Sequence, residues 1–138
     1  MGEYFYLDLD SLATVAQGKS IGPMGVEQIL VAIDELTAAL EDRPDLIHFF
    51  WDLTEAELNL STDEISRIVT YAQNTTRRRE GGRSVYLVSN ELSYGIMRMY
   101  QAFRARNHDN TGVFMDRDEA MQWLLEGGAI GSIQDQMN

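Results

Sequence analysis

The sequence predicts an α/β fold built on one mixed, largely parallel sheet. Two short apolar runs, residues 46–53 and 84–89, are nearly continuous in hydrophobicity, which is typical of strands covered on both faces. Segments with helical spacing of apolar residues alternate with these runs along the chain. Strands that alternate with helices are joined by right-handed crossovers and are therefore parallel. The predicted order is β-β-α-β-α-β-α-β-α.

The first elements are predicted as an amino-terminal hairpin followed by a long helix. Residues 4–8 alternate aromatic, apolar and polar side chains, and residues 12–16 form a second short run after a polar turn. Residues 18–25 hold three glycines and Pro23, which predict a break in structure and the start of a helix over residues 23–41. Its apolar positions keep helical spacing: Val26, Ile29, Leu30, Ile33, Leu36 and Leu40.

A central strand over residues 46–53 is expected to lead through a loop, residues 54–60, into a second helix. Ser61 and Glu64 have the separation of a capping box, in which the serine hydroxyl and the glutamate carboxylate each accept a bond from a free amide. The second helix is therefore predicted to begin at Thr62 and to end before Gly81.

The strand at residues 84–89 is predicted to feed a third helix. Either Ser89 or Asn90 suits the position that caps its first amides. Its core-facing stripe is expected to consist of Leu92, Ile96, Met99, Tyr100 and Phe103.

Three other residues of this third helix are candidates for an interaction. Tyr94 and Arg98 are four residues apart and share a different face, suited either to packing against a loop or to lining a pocket or interface. Gly95 lies between them and costs a helix about 0.5–1 kcal/mol relative to alanine. We therefore expect something to approach its backbone closely.

The chain is expected to end with a short strand and a fourth helix. Residues 112–115 form the predicted strand, and Asp116 with Glu119 forms a second capping pair. Residues 1–138 are interpreted as a single domain, because this length supports one core. Residues 129–138 are expected to form a loosely packed tail.

The composition argues against several partners. A net charge of −11 repels phosphate backbones, so nucleic-acid binding is not expected. The chain has no cysteine, no apolar run long enough for stable membrane insertion and no signal-peptide pattern at its amino terminus. These features predict a cytoplasmic protein.

No catalytic pattern accompanies the titratable residues. Asp52 closes a central strand, where a carboxylate can accept bonds from loop amides or, alternatively, serve in catalysis. Phosphate-binding loops and a nucleophile elbow are absent from the sequence, and His48 and His108 lack the spacing of metal ligands. The sequence therefore predicts no catalytic residue, no metal and no cofactor.

Two segments, FFWDLTEAELNLSTDEI and SVYLVSNELSYGIMRMYQAF, resemble those of bacterial SpoIIAA-like proteins, which are grouped as STAS/SEC14-type domains. The matching residues are Asp52, Leu53, Ser61, Tyr94, Gly95, Arg98, Met99 and Tyr100. The resemblance implies a mixed sheet wrapped by helices. It also implies non-enzymatic roles, which are switchable protein binding in STAS regulators and binding of lipid or other apolar ligands in SEC14 relatives.

The resemblance also makes Ser61 a candidate phosphorylation site. In anti-sigma-factor antagonists the phosphorylated serine lies at the start of the helix after the third strand, in an Asp-Ser-Ser/Thr-Gly context. Ser61 has the corresponding place, but Leu60 precedes it and Asp63 follows Thr62. The capping box already explains Ser61, while a helix amino terminus also accommodates a phosphate.

Two functional hypotheses follow from the residues and the resemblance. The first is a regulatory module that binds a protein partner at the carboxyl edge of the sheet, through Asp52, Ser61, Ser89, Asn90, Tyr94, Gly95 and Arg98. The alternative is a protein that binds a small apolar or lipid-like ligand between the sheet and a helix. A homodimer formed through an unprotected edge strand is a further expectation.

Overall fold

The computed structural model describes residues 5–75, 81–105 and 110–125. Within them, five strands form one sheet in the order β1-β2-β3-β4-β5: β1 Phe5–Asp8, β2 Val15–Met24, β3 His48–Leu58, β4 Ser84–Leu87 and β5 Thr111–Phe114. The helices are α1 Val26–Leu40, α2 Thr62–Thr75, α3 Glu91–Ala105 and α4, residues 117–125. β1 and β2 are antiparallel and every other pair is parallel, which confirms the predicted α/β class and element order.

The sheet has two faces that carry different helices. On the face packed against α1, α2 and α3, here called the three-helix face, Phe49 and Trp51 join the larger buried cluster. On the opposite face, here called the α4 face, Phe50 packs with Ala120 and Leu124 in a smaller cluster. This alternation along β3 follows from the two-residue period of a strand. Each residue of β3 therefore belongs to one identifiable side of the molecule.

The predicted break at residues 18–25 is wrong, because β2 continues to Met24 and α1 begins only at Val26. Gly18 pairs with Leu7 of β1, and the ring of Phe5 lies so near that an added Cβ would be 2.8 Å from its Cε1 atom. Gly22 takes a positive φ of 86°. Pro23 lies three positions beyond Ser20, where the described pairing of β2 with β1 ends.

The predicted loop at residues 54–60 is also largely strand. β3 pairs with β2 as far as Leu58, well beyond its last pairing with β4 at Asp52. The indole N–H of Trp51 donates a 2.7 Å hydrogen bond to the buried Oγ of Ser20, which ties the two strands together on the three-helix face. β2 and β3 therefore project past the shorter β4 and β5 at the carboxyl edge of the sheet.

The orientation of α3 differs from the predicted core stripe. Leu92 is 69% exposed and Met99 is 38% exposed, so placing them in the core was wrong. Tyr100 of the predicted stripe is buried, and Ile96 and Phe103 pack, partly buried, against the larger core. Ser93 and Met97, which the predicted stripe did not include, are buried too. The ring of Tyr100 packs edge-on against Tyr86 of β4 with 5.5 Å between the centroids. This contact with the sheet helps to fix which side of the helix is buried.

Some predicted features lie outside the described residues. Arg77, Arg78 and Arg79 are among them, as are His108 and the tail at residues 129–138. In the described ranges, no helix has the length and apolar character needed to cross a membrane.

Candidate functional site

The turn after β4 is anchored to the neighbouring strand by Ser89. The hydroxyl of Ser89 donates a 2.9 Å hydrogen bond to the backbone carbonyl of Thr54, a residue of β3. Ser89 itself remains exposed. The bond fixes the polar turn at the carboxyl edge of the sheet, where the sequence placed the candidate binding surface.

Asn90, rather than Ser89, caps α3. The side-chain Oδ1 of Asn90 accepts a 2.8 Å hydrogen bond from the backbone N–H of Ser93, and its carbonyl accepts the first helical bond from Tyr94. A cap of this kind satisfies an amide that has no partner within the helix. The two sequence candidates therefore have separate tasks, since Ser89 bonds the strand and Asn90 starts the helix.

Tyr94 and Arg98 form a pair on the surface of α3. The guanidinium of Arg98 donates a 2.9 Å hydrogen bond to the Tyr94 hydroxyl, and its central carbon lies 5.6 Å from the centre of the tyrosine ring. Arg98 is exposed, whereas Tyr94 is half-buried and packs at the margin of the larger core. The tyrosine therefore holds the arginine charge in place at the surface of the helix.

Among the described residues, Gly95 has no neighbour that requires a glycine. In the described part of the chain, no atom beyond its own helix lies within 4 Å of the position a Cβ would occupy. The predicted close approach to this backbone is thus not made by any described segment. Gly95 is exposed on the same helix turn as the Tyr94–Arg98 pair.

Asp52 does not lie on this surface. It is only 6% exposed, and its Oδ1 accepts bonds from the backbone N–H of Thr54 at 2.9 Å and from the Thr54 hydroxyl at 2.6 Å. Its Oδ2 accepts a bond from the guanidinium of Arg117 at 2.5 Å. Arg117 belongs to α4 and stacks over Phe50, so the carboxylate lies on the α4 face, on the other side of the sheet from Tyr94.

The surroundings of Asp52 keep its carboxylate ionised. Burial alone raises the pKa of the Asp52 carboxyl, but the two bonds from Thr54 and the bond and charge of Arg117 together lower it below its ordinary value of 3.8. Thr54 also accepts the hydroxyl bond from Ser89. Asp52 therefore acts as a structural tie that connects the start of α4 to the turn before α3.

Ser61 forms the predicted capping box at the start of α2. The backbone N–H of Glu64 donates a 3.2 Å bond to the serine hydroxyl, and the backbone N–H of Ser61 donates a 2.9 Å bond to Oε1 of Glu64. Ser61 is exposed. Its phosphorylation stays a prediction, because the cap accounts for the contacts that its side chain makes.

Sequence reasoning missed Arg117 and the exposure of Leu92 and Met99. Arg117 directly follows the predicted cap residue Asp116, and nothing in that local pattern signals a partner that lies 65 positions earlier in the chain. The burial of Met97 had no clear signal in the sequence, because its neighbours at helical spacing include the polar residues Ser93 and Gln101.

The cavities of the described structure differ in chemistry. A polar cleft of about 310 Å³ opens on the α4 face and is lined in part by Lys19, Asp52 and Arg117. A cavity of about 100 Å³ lies between α1 and the amino end of the sheet, with mostly apolar and aromatic walls and with His48 and Arg104 among its lining residues. An apolar space of about 30 Å³ lies between the three helices and the sheet. No group of three or more histidine, aspartate or glutamate residues in the described ranges is placed to hold a metal ion.

A solved structure shares the topology of this chain. It is that of an uncharacterized DUF3478-family protein with a SpoIIAA-like fold from Shewanella loihica PV-4. The two chains superpose with a TM-score of 0.55 at 18% sequence identity, over 87% of this chain and 91% of the other. This chain has a SpoIIAA-like fold. The fold expected from the resemblance of the sequence is therefore confirmed.

The other comparisons add little to this result. The structure of the anti-sigma factor antagonist SpoIIAA in its unphosphorylated form is 12% identical, with a TM-score of 0.46 over 94% of this chain and 97% of that one. No protein-family model matches the sequence, and no curated protein matches it either.

Proposed function

We propose that this chain is a non-enzymatic regulatory module of the STAS type, which binds a protein partner at the carboxyl edge of its sheet. The binding surface consists of the turn Ser89-Asn90 and the first turns of α3, through Arg98, and is here called the α3 surface. Ser61 at the start of α2 is its proposed neighbour and a candidate site for control by phosphorylation. The SpoIIAA-like fold supports this assignment by analogy of fold.

The proposal rests on the hydrogen bonds that hold the side chains of the α3 surface in place. Its turn is fixed by the Ser89 bond to Thr54, and its cation is fixed by the Tyr94 bond to Arg98. Exposed arginine and aromatic residues held in place are favoured in protein interfaces, because little conformational entropy remains to be lost on binding. No carboxylate in the described part of the chain forms an ion pair with Arg98. These contacts support a surface whose turn and arginine are held by hydrogen bonds, with no described carboxylate paired to the arginine.

An enzymatic role for Asp52, Tyr94 and Arg98 acting together is disfavoured by their separation across the sheet. Asp52 is buried on the α4 face with both carboxylate oxygens occupied. A general base must reach the proton of its substrate within hydrogen-bond distance. A carboxylate in this position stabilises the fold rather than serving a reaction beside Arg98.

Affinity capture tests the proposal. Tagged full-length chain is used to capture proteins from a lysate of its native host, beside a variant carrying Tyr94→Ala and Arg98→Ala. We expect a specific protein with the wild type and at least tenfold less of it with the variant. Arg67→Gln is the matched control, because Arg67 is an exposed arginine of the neighbouring helix α2. Equal capture by the wild type and the Tyr94/Arg98 variant would remove the α3 surface from the proposal.

The alternative function, binding of a small apolar ligand, is favoured by the cavity beside α1. At about 100 Å³ it is smaller than the roughly 150 Å³ of a cavity that holds benzene, so its ligand would be compact rather than a long acyl chain. The walls include Ile33, Leu36 and Tyr100. Native mass spectrometry of the purified chain tests this alternative, which predicts a bound mass that is lost when Leu36→Trp fills the space.

A further inference from the structure

Helix α3 presents to solvent a strip of uncharged residues, on the side away from its buried face and beside the exposed Glu91 and Arg98. The residues of this outer face, all exposed, are Leu92, Gly95, Met99 and Ala102. They are separated by three, four and three positions, which is the spacing of the contact seam between two packed helices. The exposed residues of the neighbouring helix α2 are, in contrast, all polar or charged: Thr62, Asp63, Ser66, Arg67, Thr70, Gln73 and Asn74. The apolar outer face thus distinguishes α3 from α2.

Gly95 makes a notch in this outer face. Leu92 lies three positions before it and Met99 four positions after it, so the two larger side chains flank the glycine along the helix. No described atom beyond the helix comes within 4 Å of where its Cβ would be. A glycine that lowers helix propensity and meets no described residue beyond its helix is suited to close approach by a backbone or side chain from outside.

Arg98 places a positive charge at the edge of the outer face. It follows Gly95 by three positions and precedes Ala102 by four, so it adjoins both on the helix surface. The exposed carboxylate of Glu91, four positions before Gly95, borders the same face nearer the start of the helix. The chain as a whole carries a net charge of −11, and the Arg98 cation is held by its contacts with Tyr94. Two copies of so acidic a chain repel each other, whereas a carboxylate on another protein matches the arginine.

We infer that the outer face of α3 docks an amphipathic α-helix of the partner protein, with apolar side chains seated at the Gly95 notch between Leu92 and Met99 and a carboxylate paired with Arg98. The inference rests on the proposed function and specifies the partner's chemistry. A helix is the occupant because the seam has helical spacing and its centre is small enough for a second helix to approach.

Site-specific photocrosslinking tests the inference. The photoreactive residue p-benzoylphenylalanine replaces Met99 in the full-length chain, and the control carries it at Val31, an exposed apolar position of α1. After irradiation in a lysate of the native host, the attached peptide is sequenced by mass spectrometry. We expect position 99, but not position 31, to capture a segment with apolar residues at helical spacing and at least one acidic residue beside them.

A synthetic peptide of the captured segment then measures affinity by fluorescence anisotropy. Gly95→Leu fills the notch and should weaken binding about tenfold, with an unchanged circular dichroism spectrum. Arg98→Gln should weaken it about two- to fivefold and reduce its salt dependence. Arg67→Gln should leave affinity unchanged.

The outcomes separate this inference from the proposed function. A crosslink to a second copy of the chain, to a lipid or to a segment without the amphipathic pattern overturns the inference. Affinity capture can yield a partner that forms no crosslink with residue 99 and whose affinity is not weakened by Gly95→Leu. In that case the proposed function stands and the docking face is wrong. If no partner is captured at all, the proposed function itself fails.

Discussion

Replacing Gly95 by alanine is expected to stabilise the isolated chain. The position is in the middle of α3, and its φ is not among the positive values found at Gly22 and Gly81. An alanine Cβ meets no described atom within 4 Å beyond the helix. The substitution therefore adds no clash in the described structure and only reduces the freedom of the unfolded chain.

The magnitude follows from helix propensity and chain length. Alanine is favoured over glycine in a helix interior by about 0.5–1 kcal/mol. With an unfolding entropy of about 2.1 cal/mol/K per residue, the 138-residue chain has a total near 0.3 kcal/mol/K. The melting temperature of Gly95→Ala should accordingly rise by about 2–3 °C.

Scanning calorimetry and urea denaturation of the purified variants measure this effect. Ala102→Gly is the matched control, because Ala102 is exposed on the same face of α3 and should lower the melting temperature by a similar amount. If Gly95→Ala leaves the melting temperature unchanged or lowers it, a segment outside the described residues contacts Gly95, and the notch is not open to a partner.

Three further predictions concern stability. Ser61→Ala should cost about 1 kcal/mol in urea denaturation, since it removes one half of the capping box; a loss below about 0.3 kcal/mol would contradict the cap. Leu92→Gln should change the free energy of unfolding by less than about 0.5 kcal/mol, whereas Met97→Ala should cost about 2–5 kcal/mol. A larger loss for Leu92→Gln than for Met97→Ala would mean that Leu92 is buried, as the sequence predicted. The pKa of Asp52 is lowered in the folded chain. The ionised carboxylate therefore contributes to the free energy of unfolding above about pH 4, and this contribution is lost as the pH falls through the pKa of the folded state. Asp52→Asn should therefore cost about 1–3 kcal/mol at neutral pH, with the difference from wild type shrinking in acid; a difference independent of pH would refute the role of the charge.

Local signals in the sequence predicted the parts of the fold that depend on neighbouring residues. The capping box of Ser61 and Glu64 correctly started α2 at Thr62, and Asn90 was correctly named among the caps of α3. A cap requires only residues within one helical turn of each other, so its geometry is encoded in a few adjacent positions. The alternation of strands and helices is likewise local, and it fixed the α/β class.

Contacts between distant segments explain what the sequence did not predict. Gly18 signals a break by itself, but in the fold it pairs with Leu7 of β1 and leaves room for the ring of Phe5. Leu92 and Met97 lie on different sides of α3, and packing against the sheet decides which of them is buried. The hydrogen bond between Asp52 and Arg117 joins residues 65 positions apart, and no local sequence pattern at either residue predicts it.

The same distinction applies to the candidate binding residues. Tyr94 and Arg98 were paired by their spacing within one helix, and the structure brings them into contact. Asp52 was grouped with Tyr94 and Arg98 because all three were expected to follow strands at the same edge of the sheet. The direction of its side chain depends on strand alternation, which sends it to the α4 face.

The affinity of the captured partner for Gly95→Ala tests the partner-binding surface most directly. The variant is expected to be more stable than wild type, so weaker binding cannot be attributed to partial unfolding. Surface plasmon resonance with the immobilised partner should show a dissociation constant at least threefold higher than that of wild type, together with the higher melting temperature. A dissociation constant equal to or lower than that of wild type would contradict a partner that sits on the α3 surface at Gly95.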